Sequence, residues 1–245
     1  MKPLSAIIYR GPSLIDGAPI VAVAIASSRN TKTGNMVQTY ILLSGIDPRA
    51  ANKSGADYSI CGTCPHRGTP TDDPKRALAK GRSCYVQIGQ GPLGVFRMLA
   101  RDGYRAVTGH ADIAAIGSGR MVRLGTYGDP AAVPSYVWDS LIFEATGHTA
   151  YSHQSGVQSA DFRPDLFMVS ADSDKAARAA WKEGRRTFRV IGDIADIIKG
   201  EEVLCPASEE AGRRTTCTDC RLCGGAAVKA KSVAIVAHGA GRRYA

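Results

Sequence analysis

Seven cysteines are the sequence feature that most constrains this chain, because they fall into two groups. The first group is Cys61, Cys64 and Cys84, and the second is Cys205, Cys217, Cys220 and Cys223. Four thiolates complete a tetrahedral metal site or an iron–sulfur cluster, whereas three leave one coordination position free. We therefore expect all seven cysteines to ligate metal, in one closed site and one open site.

The spacing within each group leaves the metal open. The run Cys217-x2-Cys220-x2-Cys223, with a remote Cys205-Pro206, is typical of the cluster-binding run of bacterial ferredoxins. Cys-x2-Cys pairs also form zinc knuckles, so zinc is an equal alternative. The first group fits a [4Fe-4S] cluster with one open iron, or a zinc site that His66 closes as the fourth ligand. Free or buried thiols are the plainer alternative.

The composition fits a reducing compartment. The chain has 245 residues, enough to bury a core without disulfides. It contains no apolar run long enough to span a membrane, and its first residues lack the layout of a secretion signal. We therefore expect a cytoplasmic protein with free thiolates and no membrane partner.

The positive charge is concentrated in the first half of the chain. The net charge is +9, and +8 of it falls in residues 1–120. A basic surface suits a nucleic acid, a nucleotide or an anionic cluster. A nucleotide or nucleic acid is therefore the expected partner, although many basic proteins bind neither.

Apolar periodicity predicts the secondary structure. Residues 5–45 alternate short β-rich runs with turn residues, which predicts a meander of three strands. The polar segment 47–82 is predicted to be a long loop pinned by a metal. The predicted elements that follow are strands at 83–88, 121–125, 149–152, 166–170, 187–191 and 232–236, and helices at 92–101, 134–145, 173–183 and 193–199.

This pattern predicts a single α/β domain with an antiparallel N-terminal strand meander (1–46) and a β/α core (47–204). A C-terminal cysteine-rich metal-binding segment (205–225) and a final strand with a tail (226–245) follow. The core fits a partial or distorted β/α barrel, or an open doubly wound sheet. The compact strand–helix–strand unit at 166–191 implies parallel pairing.

Functional groups collect at the carboxyl ends of parallel strands. Asp129, His153 and Asp172 each follow a predicted strand, and Asp129 and His153 are the candidate catalytic residues. Gly125, Gly128 and Asp129 are candidates for binding a cofactor, since the glycines let the backbone approach a ligand closely. An Asp-Pro turn before a helix is an equal explanation of Asp129. His148 and His238 are weaker candidates for proton transfer.

Several motifs resemble those of a bacteriophage and prophage protein family defined by its cysteines. They are Cys61-Gly-Thr-Cys-Pro65, Cys84-Tyr85, Arg123-Leu-Gly-Thr-Tyr-Gly-Asp-Pro130, Thr149-Ala-Tyr-Ser-His-Gln154 and the terminal cysteine run. Members are distantly similar to radical S-adenosylmethionine (SAM) enzymes, which implies a β/α barrel. The resemblance implies that Cys61, Cys64 and Cys84 hold the open cluster, and that Gly128 and Asp129 help to hold SAM or a substrate. Radical SAM enzymes usually carry their three cysteines on one loop, and this chain does not.

Two functional hypotheses follow. The first is a phage-encoded iron–sulfur enzyme, similar to radical SAM enzymes, that acts on a nucleotide or nucleic acid. The second is a non-enzymatic zinc protein with a basic surface for nucleic acid or a host factor. A sulfur-transfer or redox role for Cys84 is a third hypothesis.

Overall fold

A computed structural model describes residues 5–27, 33–154, 156–212 and 215–237. These residues form one ten-stranded sheet. Its strands are β1 (Ala6–Pro12), β2 (Pro19–Ile25), β3 (Val37–Leu43), β4 (Arg105–Ala106), β5 (Met121–Tyr127), β6 (Gly147–Ser152), β7 (Met168–Ala171), β8 (Thr187–Ile191), β9 (Glu202–Leu204) and β10 (Ser232–Val236).

The sheet is open and mostly parallel. Its strand order is β4-β1-β2-β3-β5-β6-β7-β8-β10-β9, and only the pairs β1–β2 and β2–β3 are antiparallel. The predicted N-terminal meander and the predicted parallel unit of β7 and β8 are therefore confirmed. From β5 to β8 each new strand adds on the same side of the previous one, so the carboxyl ends of these strands line up along one edge.

Among the described residues, seven α-helices connect or flank the strands. They are α1 (Pro48–Ser54), α2 (Tyr58–Cys61), α3 (Gly91–Leu99), α4 (His110–Gly117), α5 (Ser135–Ile142), α6 (Asp174–Lys182) and α7 (Cys217–Cys220). In the part of the chain that the structure describes, no helix has the length and apolar content needed to cross a bilayer.

Two hydrophobic clusters support the sheet. The larger one joins β1, β2, β3 and β5 to α4 and α5, and it encloses the fully buried Trp138. The indole Nε1 of Trp138 donates to the carbonyl of Pro130 at 2.9 Å, so this buried polar atom is satisfied. The smaller cluster is formed by Met168, Cys205, Val233 and Ile235. The second cysteine group therefore lies beside a small core of its own.

Two sequence predictions are wrong between β3 and α3. Residues 47–82 are not one loop, because they contain α1, α2 and a 3-10 turn at Pro65–Arg67. The predicted strand at 83–88 is a loop. The Arg82 guanidinium donates to the carbonyls of Cys84 (3.0 Å) and Val86 (2.7 Å), which curls this segment instead of leaving it extended.

The predicted helix at 193–199, after β8, is reduced to a 3-10 turn at Ile194–Asp196.

Candidate metal and active site

A buried ion pair holds the segment that carries Cys61 and Cys64. Arg67 Nη2 lies 2.6 Å from Asp57 Oδ1, and the same guanidinium donates to the carbonyls of Gly55 (2.7 Å) and Gly62 (2.9 Å). Asn52 Nδ2 donates to the other Asp57 oxygen at 2.8 Å. These contacts hold the segment through side chains and main-chain carbonyls, and the sequence's expectation that a metal also pins it stays a prediction.

Gln154 ties the same segment to the end of β6. Its side-chain Nε2 donates to the carbonyl of Cys61 (3.1 Å), and its Oε1 accepts from the Thr63 N–H (3.3 Å). Gly62 adopts a φ of +55°, and a Cβ there would lie 2.2 Å from Gln154 Oε1. Only glycine therefore allows this close approach.

The three cysteines of the first group interact electrostatically. Burial raises the pKa of the Cys61 thiol, and nearby Asp57, Cys64 and Cys84 raise it further. Burial also raises the pKa of Cys84, while Arg82 opposes that shift. The Cys84 N–H donates to the carbonyl of His66 at 3.1 Å, which brings the Cys84 loop against the Cys64 turn. A shared positive ion would relieve the repulsion that three neighbouring thiolates create.

Beside these cysteines, His66, His153 and Asp172 form a compact group. His66 Nε2 and His153 Nε2 lie 3.1 Å and 3.2 Å from the same Asp172 oxygen, Oδ1. Burial by itself lowers the pKa of His153, but hydrogen bonds to Asp172 and Cys64 outweigh it, so the pKa is raised to about 10. Burial would raise the pKa of Asp172, yet its hydrogen bonds to the two histidines hold it below the usual range.

Asp129 holds the main chain of His153 in this group. Its Oδ2 accepts from the His153 N–H (2.8 Å), and its Oδ1 accepts from the Ala131 N–H (3.0 Å). Burial raises the pKa of Asp129, and these hydrogen bonds oppose the shift. Asp129, His153 and Asp172 follow β5, β6 and β7, so the structure gathers the three side chains at one sheet edge. Asp129 caps a turn and positions His153 there.

Gly125 and Gly128 pack against the protein itself. Gly125 has a φ of +69°, and a Cβ there would lie 2.6 Å from Pro130 Cδ. Gly128 has a φ of +82°, and its Cβ would lie 2.8 Å from Ile41 Cβ. Both glycines allow the turn after β5 to close tightly, which is how they place Asp129.

All four cysteines of the second group line one cavity on the sheet. Cys205 follows β9, while Cys217, Cys220 and Cys223 belong to α7 and the turn after it. The cavity holds about 20 Å³, room for about one water-sized sphere. Burial raises the pKa of Cys223 to about 12, and Cys205, Cys217 and Cys220 contribute to that shift. The donor set and the size suit a metal ion bound by sulfur.

Arg123 lies between the two cysteine groups. Its guanidinium carbon lies 5.8 Å from the ring centroid of Tyr85 and 5.6 Å from that of Tyr151. It also interacts electrostatically with Cys217 and Cys223, while Tyr85 interacts with Cys64, Cys84 and Cys217. Sequence analysis missed this role of Arg123, although the residue lies within the predicted strand at 121–125.

Comparisons with known proteins assign no family. No protein-family model matches the chain, and neither does any curated protein or solved structure. Of the predicted residues, the structure places the cysteines, Asp129 and His153 as described above. His66 contacts Ser83 and Asp172 through its ring nitrogens, so it would have to leave them to close a zinc site with the cysteines. His148 is buried and bonds to Leu166, and His238 lies outside the described residues.

Proposed function

We propose that this protein is an iron–sulfur enzyme with two cysteine-bound centres that acts on a nucleotide or nucleic acid. The observation that carries the proposal is the convergence of the four cysteines Cys205, Cys217, Cys220 and Cys223 on one cavity, with the other three cysteines grouped at the strand ends. Four thiolates would close the centre at the second cysteine group, whose cavity would have to widen to hold a cluster. Three thiolates would leave the centre at the first group open to a small molecule.

The residues around the centres suit negatively charged clusters. The Arg123 cation next to Cys217 and Cys223 favours thiolate and an anionic cluster, and its buried Nε has no hydrogen-bond partner among the described residues. Arg82 has the same favourable effect on Cys84. A cluster bound at Cys61, Cys64 and Cys84 would supply one metal atom with a free coordination position.

We further propose that this open centre is of the radical SAM-like type in a phage-encoded enzyme. The sequential order of β5 to β8 is one that a partial β/α barrel shares. Two of the three cysteines contact residues that follow β6, since Cys61 accepts from Gln154 and Cys64 bonds to His153. The segment between Cys64 and Cys84 exposes Lys75, Arg76 and Lys80 together with Asp72 and Asp73, a small positive excess that favours a phosphate-bearing substrate. His153 lies beside Asp172 at the carboxyl ends of the same strands.

Metal analysis after oxygen-free purification tests the proposal. The wild type is expected to contain iron and sulfide at both cysteine centres. Cys84→Ser is expected to lose the iron of the three-cysteine centre together with SAM binding in equilibrium dialysis, whereas Cys223→Ser is expected to lose the iron of the four-cysteine centre. Thr63→Ser, close to Cys64, is the matched control and is expected to keep the iron of both centres. A colourless wild type that contains zinc and no iron overturns the proposal.

The small cavity favours a second candidate, a zinc protein that binds nucleic acid. Zinc needs room for one ion with four sulfur ligands at about 2.3 Å, and the four-cysteine cavity has room for about one water-sized sphere. In this case the two sites would hold a basic surface without catalysis. DNA binding that weakens steeply with salt, in a protein that contains zinc only, would support this candidate.

A further inference from the structure

Three metal-ligating side chains converge outside the two cysteine groups. His66 comes from the turn after Cys64, His153 from the end of β6 and Asp172 from the end of β7. One ligand atom from each lies within 4.8 Å of the other two, and both histidines direct Nε2 at a single carboxylate oxygen. Side chains that are distant in sequence thus meet at one carboxylate oxygen, whereas a surface ion pair needs only two partners.

The surroundings hold these ligands in position. His66 Nδ1 lies 2.7 Å from the hydroxyl oxygen of Ser83, and an Nδ1–H donated to that oxygen leaves Nε2 free to bind a metal. The main chain of His153 is fixed by the Asp129 carboxylate at 2.8 Å. Such outer hydrogen bonds are the usual means of orienting metal-binding histidines.

One side of the group is accessible to solvent. The side chains of His66, His153 and Asp172 are 32%, 18% and 41% exposed. Three ligands on one side of an ion leave its other coordination positions free. Water or an oxygen-donor substrate can reach those positions from the open side.

We propose that His66, His153 and Asp172 bind one divalent first-row transition-metal ion, next to Cys64 but without a cysteine ligand, and open to an oxygen ligand. Two imidazoles and one carboxylate suit iron, manganese, cobalt or zinc, whereas magnesium and calcium prefer oxygen ligands alone. This site goes beyond the proposed function, because it requires neither an iron–sulfur cluster nor zinc at the cysteines.

Mn²⁺ is the probe that best separates this site from the thiols, because soft thiolate ligands do not select it. Binding is followed by the loss of the free Mn²⁺ signal in electron paramagnetic resonance. The wild type is compared with Asp172→Asn and His66→Gln, which remove ligands from two different elements. Asp165→Asn is the matched control, since Asp165 is an exposed aspartate that pairs with Arg163 at 2.5 Å.

We expect the wild type and Asp165→Asn to bind one Mn²⁺ per chain, and both ligand variants to bind at least tenfold more weakly. Equal binding by the wild type and both ligand variants, or no binding of Mn²⁺, Co²⁺ or Fe²⁺ by the wild type, overturns the proposal. Circular dichroism and thermal unfolding check that each variant folds. His153→Gln is the replacement if one of the two does not. Iron and sulfide content is measured on the same samples, so that failure of the cysteine centres is recognised separately.

Discussion

Arg123 shows at the scale of one residue how this fold places a positive charge between two sets of thiols. Two tyrosine rings flank its guanidinium. Burial by itself lowers the pKa of Arg123, but the interactions with Tyr85 and Tyr151, and then with Cys217 and Cys223, outweigh it and raise the pKa. Arginine suits this position better than lysine, because its planar and weakly hydrated cation stacks on aromatic rings. The charge favours the thiolate forms that bind metal.

We predict that Arg123→Gln weakens metal binding at the four-cysteine site by about tenfold to a hundredfold, the usual effect of losing an outer-shell group. The reason is that four thiolates lose a neighbouring cation. Competition with a chromophoric chelator measures the affinity. Arg123→Lys keeps the charge and is expected to fall between the wild type and the glutamine variant. Unchanged affinity in Arg123→Gln would contradict this role.

His148 gives a second prediction at the residue scale, on the dependence of stability on pH. Burial lowers the pKa of His148 below 6.5, although its hydrogen bond to the Leu166 carbonyl (2.9 Å) opposes the shift. Below pH 6.5 the unfolded chain therefore binds a proton that the folded chain does not, so this histidine lowers stability as the pH falls. Urea unfolding between about pH 7.5 and about pH 5 should show a shallower loss for His148→Gln. Parallel curves for the two proteins would contradict it.

At the scale of elements, the segment between β3 and α3 is held by polar contacts in addition to the packing of Ala51, Ile60 and Ile88 in the larger hydrophobic cluster. Asp57 and Arg67 form its central ion pair, and their side chains are only 4% and 16% exposed. Breaking a buried pair leaves an uncompensated charge, which is costly. The placement of Cys61 and Cys64 therefore depends on this pair as well as on any metal.

We predict that Asp57→Asn lowers the free energy of unfolding by about 3 kcal/mol, because Arg67 loses its buried counter-charge. This loss lies at the low end of the roughly 3–5 kcal/mol that breaking a buried ion pair costs, because Arg67 keeps its carbonyl acceptors. Asp73→Asn is the matched control. It breaks an exposed pair with Arg76 at 3.6 Å and is expected to cost less than about 1 kcal/mol. Urea denaturation measures both, and equal effects would show that the pair does not hold the segment.

Much of the fold was predictable from sequence where apolar periodicity was strong. The strands at Thr187–Ile191 and Ser232–Val236 have the predicted bounds, and α6 begins after Ser173, whose hydroxyl accepts from the Ala176 N–H. The helix α1 was missed, although Asp47 and Pro48 are start signals and Gly55 is a stop signal. The polar composition of that segment concealed these signals.

The candidate site was predictable only in part. The sequence showed that Asp129, His153 and Asp172 follow strands, and the ends of parallel strands share an edge, so their grouping could be predicted. The sequence did not show that His66 joins them, because the position of His66 depends on how the segment between β3 and α3 folds back. The strand at 83–88 was wrong for a related reason, namely that Arg82 bonds to the carbonyls that an extended strand would present to a neighbour.

At the scale of the whole molecule, the two hydrophobic clusters differ in size. The larger one is built from β1, β2, β3 and β5 with α4 and α5, whereas the smaller one has four buried members, one of which is Cys205. A metal bound at Cys205, Cys217, Cys220 and Cys223 would join β9 to the turn after α7. Stability on this side of the sheet is therefore expected to depend on metal more than stability on the other side does.

We predict that a chelator acts unevenly on protein isolated with its metal. Amide hydrogen exchange should become faster in 205–225 and in β9 and β10, whose packing rests on the smaller cluster. It should stay slow in β2, β3 and β5, because their apolar contacts do not involve the four cysteines of the second group. Cys223→Ser, which lacks one ligand, should show the faster pattern before chelator is added. If exchange rises equally across the sheet, the prediction is contradicted. Metal binding and global folding would then be one cooperative event, and the larger cluster would not stay folded without the metal. If exchange rises nowhere, the four cysteines contribute no stability through metal.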